Sequence, residues 1–291
     1  MPQILLISSV FLMSSLSIFV AFYNRKNTSR KGASALYNYI YLITVFIGWG
    51  LLFLREPYIE WKVLPYSILF GIFFMICQIG LINALKTGSV TITSLINQLS
   101  LIATTVWGFF LWGEKITLYV GIGLLLVVLA LYLCICTGTE KNSEGNRCFW
   151  KWLIFSSMVF IGNAGCTIVQ RTEQMRFNGQ YGGMLMFFAI GIACIFYTAV
   201  FLKSDKTDSL TILRVSAGFP ILGGVCNVLL NLFIMMLATS ALSPSLIYPV
   251  LSIGAIAATS VFSALVFKER LLFRQWIGIA VGACAVVLLS L

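Results

Sequence analysis

Charge in this 291-residue chain is confined to short gaps between ten apolar runs, at about residues 4–22, 35–54, 64–85, 90–111, 118–135, 150–170, 182–202, 215–237, 245–267 and 272–291. Each run approaches the roughly 20 residues that carry a helix across the hydrocarbon core of a bilayer. The runs are continuously apolar and do not alternate, which favours helices over a barrel. The expected fold class is therefore an all-α polytopic membrane protein with ten transmembrane helices. No basic residue precedes the first run, while Arg25, Lys26, Arg30 and Lys31 follow it. That is the reverse of a cleavable signal peptide, so the run is read as a membrane helix.

Several chemistries are excluded by what the chain lacks. It has no histidine, so no His-ligated zinc or haem, Ser-His-Asp triad or His proton relay can be built. There is no acid dyad and no GxxxxGK[ST] motif, so neither an enzyme nor an ATPase is expected, and no cofactor. The net charge of +10 is read as basic loops beside lipid and not as a nucleic-acid surface. Cys77, Cys134, Cys136, Cys166, Cys194, Cys226 and Cys284 lie within apolar runs and Cys148 in a loop, with no CxxC pair. They read as small hydrophobes without a disulfide or metal role.

The chain also repeats itself. Residues 103–133 return 155 residues later as 258–288, with Ala103, Thr104, Val106, Glu114, Gly123, Ala130 and Leu133 recurring as Ala258, Thr259, Val261, Glu269, Gly278, Ala285 and Leu288. Earlier segments recur at an offset of 148, rising to about 152 or 153 in the third span. The expected organisation is residues 1–136 as a first five-helix repeat, 137–149 as a linker and 150–291 as a second five-helix repeat. Five is odd, so the second repeat enters from the opposite face. Inverted repeats of this kind carry their binding site near the midplane between the halves.

Orientation follows from the basic residues. Loops after odd-numbered spans hold Arg25, Lys26, Arg30, Lys31, Lys86, Lys141, Arg147, Lys151, Lys203, Lys206, Arg214, Lys268, Arg270 and Arg274, against Arg55, Lys62, Lys115, Arg171 and Arg176 in the even-numbered loops. Odd loops are expected in the cytoplasm and both termini outside.

On these residues the chain resembles the ten-helix EamA-like members of the drug/metabolite transporter superfamily. The resemblance covers nearly the whole chain. It is carried by Ala84-Leu85-Lys86 ending the third span, by Trp112-Gly113-Glu114-Lys115-Ile116-Thr117 between spans four and five, and by Phe267-Lys268-Glu269-Arg270 in the matching corner. Small-residue spans five and ten complete it. Such halves commonly carry a proline early in helices 4 and 9; Pro249 matches, whereas Asn97-Gln98 stand in its place in the first half. The family is usually drawn with both termini cytoplasmic, opposite to the charge distribution here. The resemblance implies transport and names no substrate.

Polar residues inside spans need a partner, a cavity or water. Thr93, Asn97, Ser100 and Thr104 share a face of span four; Ser156, Asn163, Thr167 and Gln170 lie in span six; Gly223, Asn227 and Asn231 in span eight; Gln78 with Gly71 in span three; and Ser245, Tyr248 and Ser252 in span nine. Interhelical hydrogen bonding and a shared polar cavity are both open readings of each stripe. As a set they point to a substrate site at Gln78, Asn97, Asn163, Gln170, Asn227, Asn231 and Tyr248. Gly121, Gly123, Gly278 and Gly282 read as close-packing faces of spans five and ten, and Glu114 and Glu269 as structural carboxylates at helix N-termini. Lys86, Arg171 and Arg176 could attract an anionic group or simply snorkel. All nine acids are placed at span ends or in loops, which disfavours proton antiport by a carboxylate inside the membrane and a permanently cationic substrate. The related small multidrug resistance proteins depend on such a glutamate in their first helix, and here that helix has none.

The expected function is secondary transport of a small polar or amphipathic metabolite by alternating access between the repeats. A membrane-embedded sensor or scaffold without transport, or efflux of drug-like compounds, are the alternatives. The expected partners are a small-molecule substrate and the lipid bilayer of a bacterial plasma (inner) membrane, with no nucleic acid, and a monomer, a dimer being left open. The orientation is testable with a single cysteine at Thr28 in a background without accessible thiols. An impermeant thiol reagent should leave it unlabelled from outside intact cells; labelling there reverses the assignment.

Overall fold

The computed structural model describes residues 2–55, 57–111, 118–135, 143–177, 179–238, 244–268 and 272–289. Among the described residues it is all helix and turn: α1 (Pro2–Lys26), α2 (Ala33–Phe53), α3 (Leu64–Thr87), α4 (Val90–Leu111), α5 (Leu118–Ile135), α6 (Ser143–Phe177), α7 (Gly182–Lys203), α8 (Ser209–Ser216), α9 (Gly218–Ala238), α10 (Pro244–Val266) and α11 (Phe273–Leu289), with one 3₁₀ turn (Trp61–Val63) leading into α3. Pro65 occupies the first turn of α3, where a missing N–H costs nothing.

Among the described residues, five segments are long and apolar enough to cross a membrane: Gln3–Lys26, Ala33–Phe53, Trp61–Thr87, Phe149–Phe177 and Gly182–Lys203. The pair Ser209–Ser216 and Gly218–Ile234, bent by 61°, forms a sixth if counted as one broken span. Large apolar side chains such as Ile4, Phe11, Leu51, Ile195 and Leu265 lie on the outside of the bundle. An all-α membrane protein accounts for that surface, because lipid tails make exposed leucine and phenylalanine inexpensive.

Two expected boundaries change. The run at 215–237 is interrupted: α8 fills part of what reads as the 203–214 loop, and the chain turns before α9, whose first turn holds Pro220. A proline there fits the start of a helix and cannot continue α8 into it. In turn, α6 outruns 150–170 in both directions, beginning inside the expected linker. Gln170, Arg171, Glu173, Gln174 and Arg176 lower hydropathy yet are all good helix formers. Glu173 is consequently helical and lies four residues before the end of the candidate span Phe149–Phe177 rather than in a loop. Residues 112–117 and 269–271, including Glu114 and Glu269, lie outside the described residues.

Among the described glycines within helices, the closest approach to another helix's backbone is between α3 and α6. A Cβ at Gly162 would stand 2.5 Å from the Cys77 N, and one at Gly80 would stand 2.7 Å from the Phe155 carbonyl oxygen. α5 does pack along α11, as their small residues predict. There Gly282 faces Leu95 and Ala130 at 3.3 and 3.6 Å, while nothing lies within 4 Å of a Cβ at Gly121. Gly121 is therefore not the close-packing residue it resembles.

The helix contacts come in exchangeable sets. α3 packs on α6 as α9 packs on α1, α3 on α7 as α9 on α2, and α4 on α6 as α10 on α1, while α2 meets α7, α4 meets α10 and α5 meets α11. The exchange holds at single residues. A Cβ at Gly71 would meet the Ala189 carbonyl oxygen at 2.9 Å, and one at Gly224 the Tyr41 carbonyl oxygen at 3.0 Å. Gly224 follows Gly71 by 153 residues and Ala189 follows Tyr41 by 148, the offsets of the sequence repeat.

One end of the bundle is tied across its loops. The Lys31 backbone N–H donates to Asp208 at 3.1 Å and the Lys31 ammonium stands 3.7 Å from Asp205. Gly32, at φ 70°, leaves no room for a Cβ against the Asp205 carbonyl. The Thr207 hydroxyl and backbone N–H, with Lys31 beside them, hold the Asp205 carboxyl below the usual carboxylate range.

The glycine contacts give a prediction. Gly162→Ala should destabilise the protein by about 1–3 kcal/mol, since backbone and not a flexible side chain must move. Gly121→Ala should be neutral or stabilising by about 0.5–1 kcal/mol from reduced backbone entropy. Thermal unfolding in detergent measures both, and equal losses would show that α3 and α6 are not in backbone contact.

Candidate functional site

Most polar groups inside this bundle are used up by the bundle itself. Ser and Thr hydroxyls bond their own helices, as Thr44 does to the Ile40 carbonyl at 2.9 Å and Thr198 to that of Cys194 at 2.7 Å. Others tie neighbouring helices through backbone carbonyls: Tyr23 donates to Ala33 at 2.7 Å, Asn24 to Ile82 at 2.9 Å and Tyr197 to Met75 at 3.1 Å. Such groups are structural, because each supplies the partner that hydrocarbon cannot.

Against this background the contact between α4 and α6 differs. The Asn163 side-chain amide of α6 donates to the Ser100 hydroxyl at 2.7 Å and to the Asn97 carbonyl at 3.1 Å, both on α4. Ser100 passes the chain on, donating to the same Asn97 carbonyl at 2.5 Å. Nearer the start of α4, the buried Trp152 of α6 donates its indole N–H to the Thr93 hydroxyl at 3.0 Å and packs over Gly88 in the α3–α4 corner.

The same two helices carry polar groups without partners. Asn97 Oδ1, Gln98 Oε1 and Ser94 Oγ on α4 and Ser156 Oγ on α6 are buried without a hydrogen-bond partner among the described residues. An isolated orphan of this kind costs about 1–3 kcal/mol. Two are amide oxygens that accept and two are hydroxyls that both donate and accept, and together they call for polar partners from elsewhere, as a ligand or as water.

The expected site residues separate into groups. Asn97 and Asn163 are brought together. Gln78 is 7% exposed and donates to the Tyr41 hydroxyl at 3.3 Å, in a packed core with Tyr37 and Tyr23 rather than in an open cavity. Asn231 donates to Asn227 on its own helix, at 2.9 Å to the carbonyl and 3.3 Å to the side chain. Gln170 is half-buried farther along α6. Tyr248 falls in α10, and its side chain is outside the described residues.

Sequence reasoning passed over Ser94 and Gln98, whose spacing of four puts both on one face of α4. It also passed over Trp152, which reads as an interfacial aromatic until the Thr93 contact is known. A separate crevice of about 330 Å³ opens between the end of α1 and the α3–α4 corner, lined by Asn24, Arg25, Thr28, Lys86, Thr87 and Gly88 among others. Lys86 thus shares a polar crevice with Arg25, while Arg176 is occupied by the Tyr66 hydroxyl at 2.8 Å.

No protein-family model matches the chain. It is similar to an uncharacterized protein of Haemophilus influenzae (strain ATCC 51907 / DSM 11121 / KW20 / Rd), 23% identical over 227 residues that cover 76% of this chain and 74% of the relative. A protein of known crystal structure shares the fold, with a TM-score of 0.58 at 12% identity over 99% of this chain and 97% of the other.

The bonds themselves are testable. Asn163→Ala removes both bonds from α6 to α4, leaving Ser100 and the Asn97 carbonyl bonded only to each other, and should cost about 1–2 kcal/mol in detergent unfolding. Asn97→Ala removes an orphan acceptor while leaving the backbone carbonyl that Asn163 uses, so its cost should be smaller. The reverse order would mean that the Asn97 side chain, and not its carbonyl, holds α4 to α6.

Proposed function

We propose that the chain is a secondary transporter of a small polar or amphipathic metabolite, built as ten spans in two inverted five-helix repeats of the EamA-like kind within the drug/metabolite transporter superfamily. The reading rests first on the seam between α4 and α6. One helix belongs to the first repeat and the other to the second, the cross-helix amide bonds join them, and both carry orphan polar groups. A ligand at such a seam touches both halves at once, which alternating access requires. The exchangeable helix contacts support the repeat, since a pseudo-two-fold axis generates those pairs.

The substrate follows from the lining. The orphan amide oxygens accept and the orphan hydroxyls both donate and accept, so a neutral ligand carrying an amide, hydroxyl or amine suits them. Binding comes from those few bonds, with Trp152 and the apolar flanks of α4 and α6 supplying shape. Movement then needs only that the α4–α6 contact on one side loosens as the contact of α10 with α1 tightens, for these are the exchanged pair. No nucleophile–base pair that would favour an enzyme reading lies at the seam among the described residues. A sensor or scaffold remains the second reading.

Uptake of radiolabelled metabolite pools into proteoliposomes tests this. Accumulation of a donor-bearing metabolite is expected, with Asn97→Ala raising the half-saturating concentration roughly fivefold, the worth of one hydrogen bond of about 1 kcal/mol. Wild-type vesicles that accumulate nothing above protein-free vesicles would favour the sensor or scaffold.

A further inference from the structure

Glu173 is 0% exposed, and neither of its carboxyl oxygens has a hydrogen-bond partner among the described residues. It lies within the candidate span Phe149–Phe177, one turn before the end of α6. Its position continues the face on which Gly162 meets Cys77 and the Cys166 thiol donates to the Phe70 carbonyl at 3.8 Å. That face is applied to α3.

Of the helices packed on α6, the described part of α4 carries no charged residue, α3 carries only Lys86 at its opposite end, and α7 carries only Lys203 at its own far end. The titratable and charged groups near this end among the described residues are Arg171 and Arg176 of α6, Glu60 and Lys62 just ahead of α3, Tyr66 of α3, and Tyr58 and Tyr181. Arg176, next turn on α6, points its guanidinium to the Tyr66 hydroxyl at 2.8 Å. No charged neighbour acts on the Glu173 carboxyl. At the end of α6, Phe177 meets Tyr66 and Tyr181 edge-on at 6.0 and 5.7 Å between ring centroids, and Tyr181 stacks on Tyr58 at 5.7 Å.

We propose that Glu173 is a proton-binding site, holding a proton in this conformation and exchanging it with water when the end of α6 parts from α3. An ionised carboxylate buried without a hydrogen-bond donor costs several kcal/mol, and neither Glu173 oxygen has one among the described residues. A metal ion is a poorer occupant, because it needs a shell of oxygens, and no group of three or more acidic, Cys or His side chains is assembled among the described residues. A proton needs one oxygen. The release partner is at hand: Arg176 stands three residues along, a spacing that places the two side chains as neighbours on the helix. Freed from Tyr66, it can pair with the carboxylate left behind. Uptake reverses this, the proton adding to a carboxylate oxygen as Arg176 returns to Tyr66. That the proton drives transport rests on the function proposed above; its residence on Glu173 does not.

Infrared difference spectra of the full-length protein in lipid nanodiscs, recorded between mildly acidic and alkaline pH, test the site without any substrate. Wild type should show the carbonyl band of an un-ionised carboxylic acid at neutral pH that bleaches as pH rises and shifts on transfer to D₂O. Glu173→Gln, which copies the protonated side chain in shape and charge, should lose that band. Glu173→Asp should keep it at a displaced frequency, which decides the matter if the Gln variant fails to fold. A wild type without the band, a band unchanged in both variants, or one that never shifts in D₂O would overturn the proposal.

Discussion

The backbone contact between α3 and α6 sets the geometry on which the rest depends. Where Gly80 and Gly162 let the two helices touch, no side chain remains to cushion a rotation of α6. The next residue, Asn163, is therefore turned by about 100° onto the neighbouring face, where it meets Asn97 and Ser100 of α4. One helix thus presents two faces with different chemistry. Its glycine face fixes position, and its amide face carries the only amide chain that crosses from α4 to α6 among the described residues.

The membrane-embedded helices were legible in the sequence because a run of about twenty apolar residues has few other uses. What the run length hid was continuation through good helix formers that happen to be charged, so Glu173 and Arg176 fell beyond the run at 150–170 although they form the last turns of α6. Close packing was legible only where small residues cluster in one helix. Gly80 and Gly162 are single glycines on two helices, and no pattern within either strand of sequence joins them. Gly121 is the converse case, a clustered glycine with open space beside it.

The amide stripes show a similar limit. Asn227 and Asn231 have the spacing of a shared face, and that same spacing lets one side chain bond the other's carbonyl within the helix. Periodicity reports which face a residue is on and not whether its partner comes from its own helix, the next one or a ligand. Gln78 illustrates the second outcome, sealed against Tyr41. Only atoms left without any partner separate the third.

Asn163 and Glu173 lie ten residues apart on one uninterrupted helix, about 15 Å along its axis. A rod of that kind transmits tilt without needing a chain of side-chain rearrangements. Any movement that parts α6 from α4 at Asn163 also changes how the end of α6 sits on α3, where Tyr66 meets Phe177 and Arg176. On the proposed reading, ligand and proton therefore sense the same motion from two points on a lever. Their coupling free energy is then limited by how differently each binds the two tilts, which for two such sites is typically 1–3 kcal/mol.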